Sequence, residues 1–179
     1  MQQFIAMKKL LFALVFTIYT HLIYCQEQAD VFTLARTGSV EQVKEVLKKN
    51  PNAFTVVNDN GFSPLLLACY KGNNEVAKLL IDSGGDINIV TKMGTPLMAA
   101  IVRGNNEMAQ LLIEKKADVN ATDESGITAL IYAVQFQNIV ILKLLLQNNA
   151  DKTHKDKEGK TAFEHAIFSR NEEIINLLK

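Results

Sequence analysis

The side chains able to do covalent or metal chemistry are few and scattered. The chain holds three histidines and two cysteines. His21 lies in an apolar N-terminal run, His154 among Lys152, Lys155 and Lys157, and His165 in Phe163-Glu164-His165-Ala166. An enzyme needs a nucleophile or metal, a base and stabilising donors that converge. No HExxH, GxSxG, Walker loop or GxGxxG on a strand–helix unit is present. Two cysteines cannot build a four-cysteine zinc site or a disulfide scaffold. Cys69, beside Ala68, reads as a small buried hydrophobe. Gly84-Gly85-Asp86 has the composition of a phosphate turn, but the apolar pattern puts it at a helix C-terminus, whereas anions favour N-termini. It reads as a helix cap. Asp123-Glu124 and Asp156-Lys157-Glu158 lack EF-hand spacing and read as solvated turns. His154 reads as an exposed loop residue. Noncovalent work is expected, with no cofactor and no metal.

Composition narrows the class further. Lys+Arg and Asp+Glu are 19 each, a net charge of zero. A balanced chain has no electrostatic hold on a phosphate backbone, so nucleic-acid binding is not expected. The length, 179 residues, fits one domain.

The N-terminus reads as an address. Met1–Lys9 carries Lys8 and Lys9 and no acid, Leu10–Tyr24 is almost wholly apolar, and Cys25-Gln26-Glu27-Gln28 turns abruptly polar. Basic, apolar, then polar is the build of a secretory signal peptide. The 15 apolar-run residues, which include Thr17, Thr20 and His21, fall short of the roughly 20 a membrane span needs. Met7 serves as a start as well as Met1. A cut after Cys25 puts Cys25 at −1 and Ile23 at −3. Leu22-Ile23-Tyr24-Cys25 also resembles a bacterial lipobox, with Tyr24 where Gly or Ala is usual, and that alternative leaves Cys25 lipidated. The expected organisation is a signal peptide over 1–25 and one domain over 26–179, with no membrane span after cleavage. Cys69 is then left without a partner thiol. A cytoplasmic protein with an N-terminal core helix is the remaining alternative.

Behind the leader the chain repeats. Ser63-Pro64-Leu65-Leu66, Thr95-Pro96-Leu97-Met98, Thr128-Ala129-Leu130-Ile131 and Thr161-Ala162-Phe163-Glu164 recur every 32–33 residues. Ala68, Ala100, Ala133 and Ala166 form a column in that register, as do Asn73, Asn105, Asn138 and Asn171. Gly61, Gly94, Gly126 and Gly159 precede the tetrads; Leu79-Leu80, Leu111-Leu112, Leu144-Leu145 and Leu177-Leu178 close the units; Asp86, Asp118 and Asp151 follow. Each unit reads as a Gly turn, a short helix, a second helix and a loop. Ser or Thr suits the N-cap and Pro the first helical turn. Val76, Leu79 and Leu80 have the i, i+3, i+4 spacing of one apolar face. Gly84 and Asn149 sit where a left-handed residue ends the second helix. No unit can bury its face alone, so stacking must make the core.

The columns resemble the ankyrin repeat, with its period of 33 and its T-P-L-H-x-A signature. The resemblance covers Asp30 to Lys179 and implies an all-α solenoid of stacked helix–turn–helix units joined by hairpin-like loops, with repeats at 30–57, 58–90, 91–122, 123–155 and 156–179. The first is divergent: Ala35, Gly38, Val43 and Val46-Leu47 echo the pattern without a TPL tetrad. Three departures stand out. The tetrad His is replaced by Leu66, Met98, Ile131 and Glu164, which predicts softer turns. The unit at 91–122 lacks the residue between Gly94 and Thr95, and Lys116 replaces Gly or Asn; the middle of the stack is the expected irregularity. Helix residues Asn171, Glu172, Glu173 and Asn176 fit a polar outer face that caps the solenoid.

The resemblance also implies where a partner binds: on hairpin tips and on inner helices lining a concave face. By register the groove positions are Tyr70 and Lys71, Val102 and Arg103, Gln135 and Phe136, Phe168 and Ser169, with Leu67, Ala99, Tyr132 and His165 one turn earlier. The tips are Asp59, Asn60 and Phe62; Lys92 and Met93; Glu124, Ser125 and Ile127; Lys157, Glu158 and Lys160. Hot spots favour aromatic residues and Arg. The candidate partner-binding residues are therefore Tyr70, Lys71, Arg103, Tyr132, Phe136 and His165. Val102 and Phe168 are expected to pack between repeats.

The resulting expectation is a monomeric, non-enzymatic protein-binding module in an exported compartment, periplasmic or secreted, whose partner is a protein. The alternative is an inhibitor or immunity protein that blocks an exported enzyme such as a cell-wall hydrolase or toxin. A lipoprotein scaffold follows if Cys25 is lipidated.

Overall fold

The structure, a computed structural model, describes residues 31–179. The expected signal peptide over 1–25, with Met7, His21 and Cys25, lies outside the described residues. Within them run ten helices: α1 (31–37), α2 (Val40–Lys49), α3 (Pro64–Lys71), α4 (Asn74–Asp82), α5 (Pro96–Val102), α6 (Asn106–Glu114), α7 (Ala129–Gln135), α8 (Ile139–Gln147), α9 (Ala162–Ser169) and α10 (Glu172–Leu178). They pair into five helical hairpins, giving the all-α repeat solenoid that the columns predict.

Capping sets the starts of the helices. Ser63, Thr95, Thr128 and Thr161 hold extended backbone, and each side-chain oxygen accepts the N–H three residues on, at Leu66, Met98, Ile131 and Glu164. Pro64 and Pro96 fill the first helical position, where no N–H is needed. Three of the four column asparagines cap the second helices through their side chains. Asn105 and Asn138 accept from the N–H groups of Met108 and Ile141, and Asn171 from those of Glu173 and Ile174. Their side-chain amides also reach back one repeat, donating to Asn74 Oδ1 (2.6 Å), Asn106 Oδ1 (2.7 Å) and Gln137 Oε1 (3.3 Å), while Asn73 donates to the Gly38 carbonyl (3.0 Å). One residue type thus starts a helix and ties two repeats.

The second helices end as expected, in left-handed residues: Gly84 at φ +87°, Asn149 at +63° and Lys116 at +69°. Gly72 and Gly104 end the inner helices the same way, but Gln137 and Arg170 stand at those positions in the last two repeats, both at φ +54°.

Stacking supplies the core. α3, α5, α7 and α9 pack in sequence, each backed by the outer helix of its own unit. The four column alanines are 0% exposed, which lets the inner helices approach closely. Of each Leu pair, the second member (Leu80, Leu112, Leu145, Leu178) is buried and the first is half-buried. The missing residue of the third unit is absorbed in its hairpin. The other turns close between Asn58 and Phe62, Asp123 and Ile127, and Asp156 and Lys160; the third closes one residue sooner, with Thr91 and Gly94 exchanging backbone bonds at 3.0 and 2.9 Å. α5 still packs on both α3 and α7, so the stack itself is not interrupted.

The C-terminal end differs from the expected cap. Glu172, Glu173 and Asn176 are exposed, but so are Ile167 and Phe168 of α9, at 51% and 72%. Cys69, Ile101 and Val134, the equivalents of Ile167, are 0% exposed. A polar outer helix does not cover the inner helix beside it. Phe168 therefore does not pack between repeats, whereas Val102, on an internal repeat, is half-buried. No helix among the described residues is long and apolar enough to cross a membrane.

Candidate partner-binding surface

The inner helices carry Tyr70, Lys71, Arg103 and Phe136 at or just past their C-terminal ends, and Tyr132 and His165 in their middles, in adjacent rows because the repeats stack in register. Tyr70 is half-buried near the end of α3, and Lys71 and Arg103 are exposed. The two cations converge on that one ring: Lys71 Nζ lies 5.7 Å and Arg103 Cζ 5.3 Å from its centroid. A cation at this range is held by the negative face of the ring. Among the described residues neither cation forms an ion pair; the lysines that do, Lys78, Lys115, Lys143 and Lys160, serve Glu75, Glu107, Asp82, Glu173 and Glu158.

One repeat further on, the character changes. Phe136 is 51% exposed at the end of α7, with its ring centroid 6.3 Å from that of the half-buried Tyr132. The next repeat presents Phe168, with Lys160 Nζ 5.3 Å from its ring. The row along the inner helices is therefore cationic at α3–α5 and aromatic at α7–α9, with one charge, Lys160, at the Phe168 ring.

Tyr132 and His165 have a second role that spacing within the tetrads did not reveal. The Tyr132 hydroxyl donates to Asp123 Oδ2 and His165 Nε2 bonds Asp156 Oδ2, each at 2.7 Å. The other oxygen of each carboxylate closes its own hairpin: Asp123 accepts the N–H groups of Ser125 and Ile127, and Asp156 those of Glu158 and Lys160. Asn58 closes the first hairpin in the same way, accepting from Asn60 and Phe62. The turns are thus fastened from their own first residue, in place of the tetrad His whose loss predicted softness.

Two readings of loop residues are corrected here. Asp156 is not solvated; it is 7% exposed, because His165 and the hairpin enclose it. His154 is half-buried, and its Nε2–H donates to the Gly126 carbonyl at 2.8 Å, bridging two hairpins. A carbonyl only accepts, so the proton is on Nε2. The signal that could have found the Asp partners is a shared offset of nine, from Asp123 to Tyr132 and from Asp156 to His165.

Electrostatics follow the contacts. The Lys160 backbone N–H, with His165 and Glu158 assisting, holds the Asp156 carboxyl below its ordinary value, against the opposing effect of burial. Burial, and then the bond to Asp123, pushes the Tyr132 phenol up. Burial pushes the Cys69 thiol up to about 12, so near neutral pH it is a packing residue, as its neighbourhood predicts. A separate cleft of about 290 Å³ lies between the first two repeats, lined by Leu47, Phe54, Leu65, Leu80 and Ile89 among others. None of the six candidate residues lines it.

Comparison with known proteins agrees with this architecture. The family model for ankyrin repeats (3 copies) matches residues 31–123 and 118–179. The rat ankyrin repeat and SAM domain-containing protein 6 is 32% identical over 63 residues, 35% of this chain and 7% of its own length. The human scaffold protein ILK is 36% identical over 63 residues, 35% of this chain and 14% of its own. The human DNA-binding protein RFXANK is 32% identical over 66 residues, 37% of this chain and 25% of its own. The chain thus spans a quarter or less of each of these relatives. Ankyrin repeats are protein-interaction modules, and the chain belongs to the ankyrin repeat family.

Proposed function

We propose that this chain is a non-catalytic adaptor that holds a protein partner on the concave face of its inner helices, in an exported compartment. The observation that carries the reading is the approach of Lys71 and Arg103 to Tyr70, with the exposed Phe136 further along the same row of inner helices. Aromatic and Arg side chains are the residue types that dominate interface energetics, and an apolar ring held half in water is uncovered surface. The buried, protonated Cys69 and the structurally engaged His154 and His165 favour binding over turnover. The export reading rests on the basic, apolar and polar order of residues 1–28.

The binding test is capture from native extract with wild-type chain and with a folded Lys71→Ala/Arg103→Ala/Phe136→Ala variant. A partner retained by wild type and lost by the variant supports the groove. A partner retained equally by both moves the site off the concave face. Intact-mass analysis of the exported chain tests the address. A start at Gln26, or its cyclised form, supports soluble export; an acylated Cys25 makes the chain a lipoprotein; an uncleaved chain in the cytoplasm overturns export.

A further inference from the structure

We infer that the partner docks an extended acidic segment in which an Asp or Glu side chain is followed or preceded, about three to six positions away, by a bulky apolar one. This rests on the groove reading above and gives it a ligand chemistry. Lys71 and Arg103 come from different repeats yet both lie against the Tyr70 ring, at 5.7 and 5.3 Å from its centroid, which concentrates two positive charges around one side chain. Tyr70 orients them without neutralising them, and no carboxylate among the described residues pairs with either. A ligand carboxylate placed there is attracted by both charges, and Arg103 can take it in a bidentate fork. The next inner helix offers Phe136 against Tyr132, an apolar platform with no like arrangement of charge. Packed helices lie about 8–10 Å apart. An extended strand advances about 3.3 Å per residue, so one helix step equals about three residues, and the α7 platform lies about three residues from Arg103 after α5 and about six from Tyr70 and Lys71 on α3. Phe168, one helix further, offers a second exposed ring, with Lys160 Nζ 5.3 Å from its centroid. The complementarity is that of a segment whose acid and apolar side chains alternate with this wide spacing. A single-stranded nucleic acid can meet the same cations with phosphates and stack bases on the rings, but the chain as a whole carries no net positive charge.

The test is selection of random twelve-residue displayed peptides on the full chain, followed by binding measurements on the recovered peptides. Expected are peptides with the acid and apolar residue about three to six apart, whose affinity falls tenfold or more on Lys71→Glu/Arg103→Glu and weakens from 50 to 300 mM salt. Phe136→Ala should weaken the same peptides. Both variants alter exposed side chains, and thermal melts establish that they fold; Lys71→Gln serves if the double reversal does not. Peptides lost with Phe136→Ala but indifferent to charge reversal overturn the acidic chemistry and leave the groove standing. Peptides indifferent to every one of these variants overturn both. Recovery of no peptide, or binding of a single-stranded 12-mer oligonucleotide to Lys71 and Arg103 in its place, overturns the acidic segment.

Discussion

The Tyr132 hydroxyl donates to Asp123 Oδ2 at 2.7 Å, and that carboxylate also closes the hairpin nine residues earlier. The pair fastens a loop tip to an inner helix. In the next repeat His165 and Asp156 repeat the arrangement with different chemistry. Tyr132→Phe keeps the ring against Phe136 and removes only the hydroxyl. It should cost about 1 kcal/mol in urea unfolding and leave the surface of the platform intact. A loss of partner binding without loss of stability would instead assign the hydroxyl to the interface.

The Asp156 pair should make the last repeat sensitive to acid. The folded carboxyl is held below its ordinary value by the Lys160 N–H first and by His165 next. A depressed carboxylate contributes stability that is complete above the unfolded value, about 3.9, and is lost as pH falls through the lower folded one. Asp156→Asn removes that contribution. Melting temperatures followed from pH 6 to pH 2 should fall less steeply for the variant at the acid end; parallel curves would show that the carboxylate has no folded-state preference for its charge.

Much of the fold was legible because its signals are local. A capping Ser or Thr, a Pro at the first turn, an alanine column and paired leucines each act within a few residues, so their 32–33-residue recurrence exposes the architecture directly. The groove was legible only as positions. That Arg103 would lie over Tyr70 depends on how far one repeat rotates on the next, which no spacing states. Phe168 was misread because its register equivalent Val102 is half-buried inside the stack, while α9 ends the described stack. The shortened turn at Thr91–Gly94 looked like a defect in the stack because sequence shows the missing residue but not the hairpin that absorbs it.

The left-handed Lys116 offers a stabilising change. A Cβ in that conformation costs roughly 1–2 kcal/mol, and Gly84 occupies the equivalent place at φ +87°. Lys116→Gly gives back part of that gain through greater freedom of the unfolded chain. The net should be a stabilisation of about 0.5–1 kcal/mol, read as a higher urea midpoint. A lower midpoint would mean that the Lys side chain makes a contact worth more than the backbone strain.

Register assigns very different weights to two nearby-looking substitutions. Leu112 is 0% exposed between α6 and its neighbours, and Leu112→Ala should cost about 2–5 kcal/mol through lost transfer energy and the cavity left behind. Lys157 sits exposed on the last hairpin tip, and Lys157→Ala should stay within about 0.5 kcal/mol. Leu111, half-buried, should fall between them. Equal effects at 111 and 112 would contradict the face that α6 turns to the core.

Cys69 reports on the opening of the stack. It is 0% exposed in α3, at the position filled by Ile101 and Val134 in the next two repeats, and its thiol is pushed up to about 12. The reactive species toward an alkylating reagent is the thiolate, so the native thiol is protected twice, by exclusion of reagent and by protonation. Iodoacetamide at pH 8 should leave Cys69 unmodified in the folded chain and modify it fully in denaturant, with peptide mapping to score Cys25 apart from it. The protection should also weaken in Leu112→Ala, since α3 is held down by α5, which packs on α6. Labelling that tracks the loss of stability identifies opening of the stack as the only route to the thiol. Rapid labelling of the native chain would mean that α3 separates from its neighbours far below the unfolding transition.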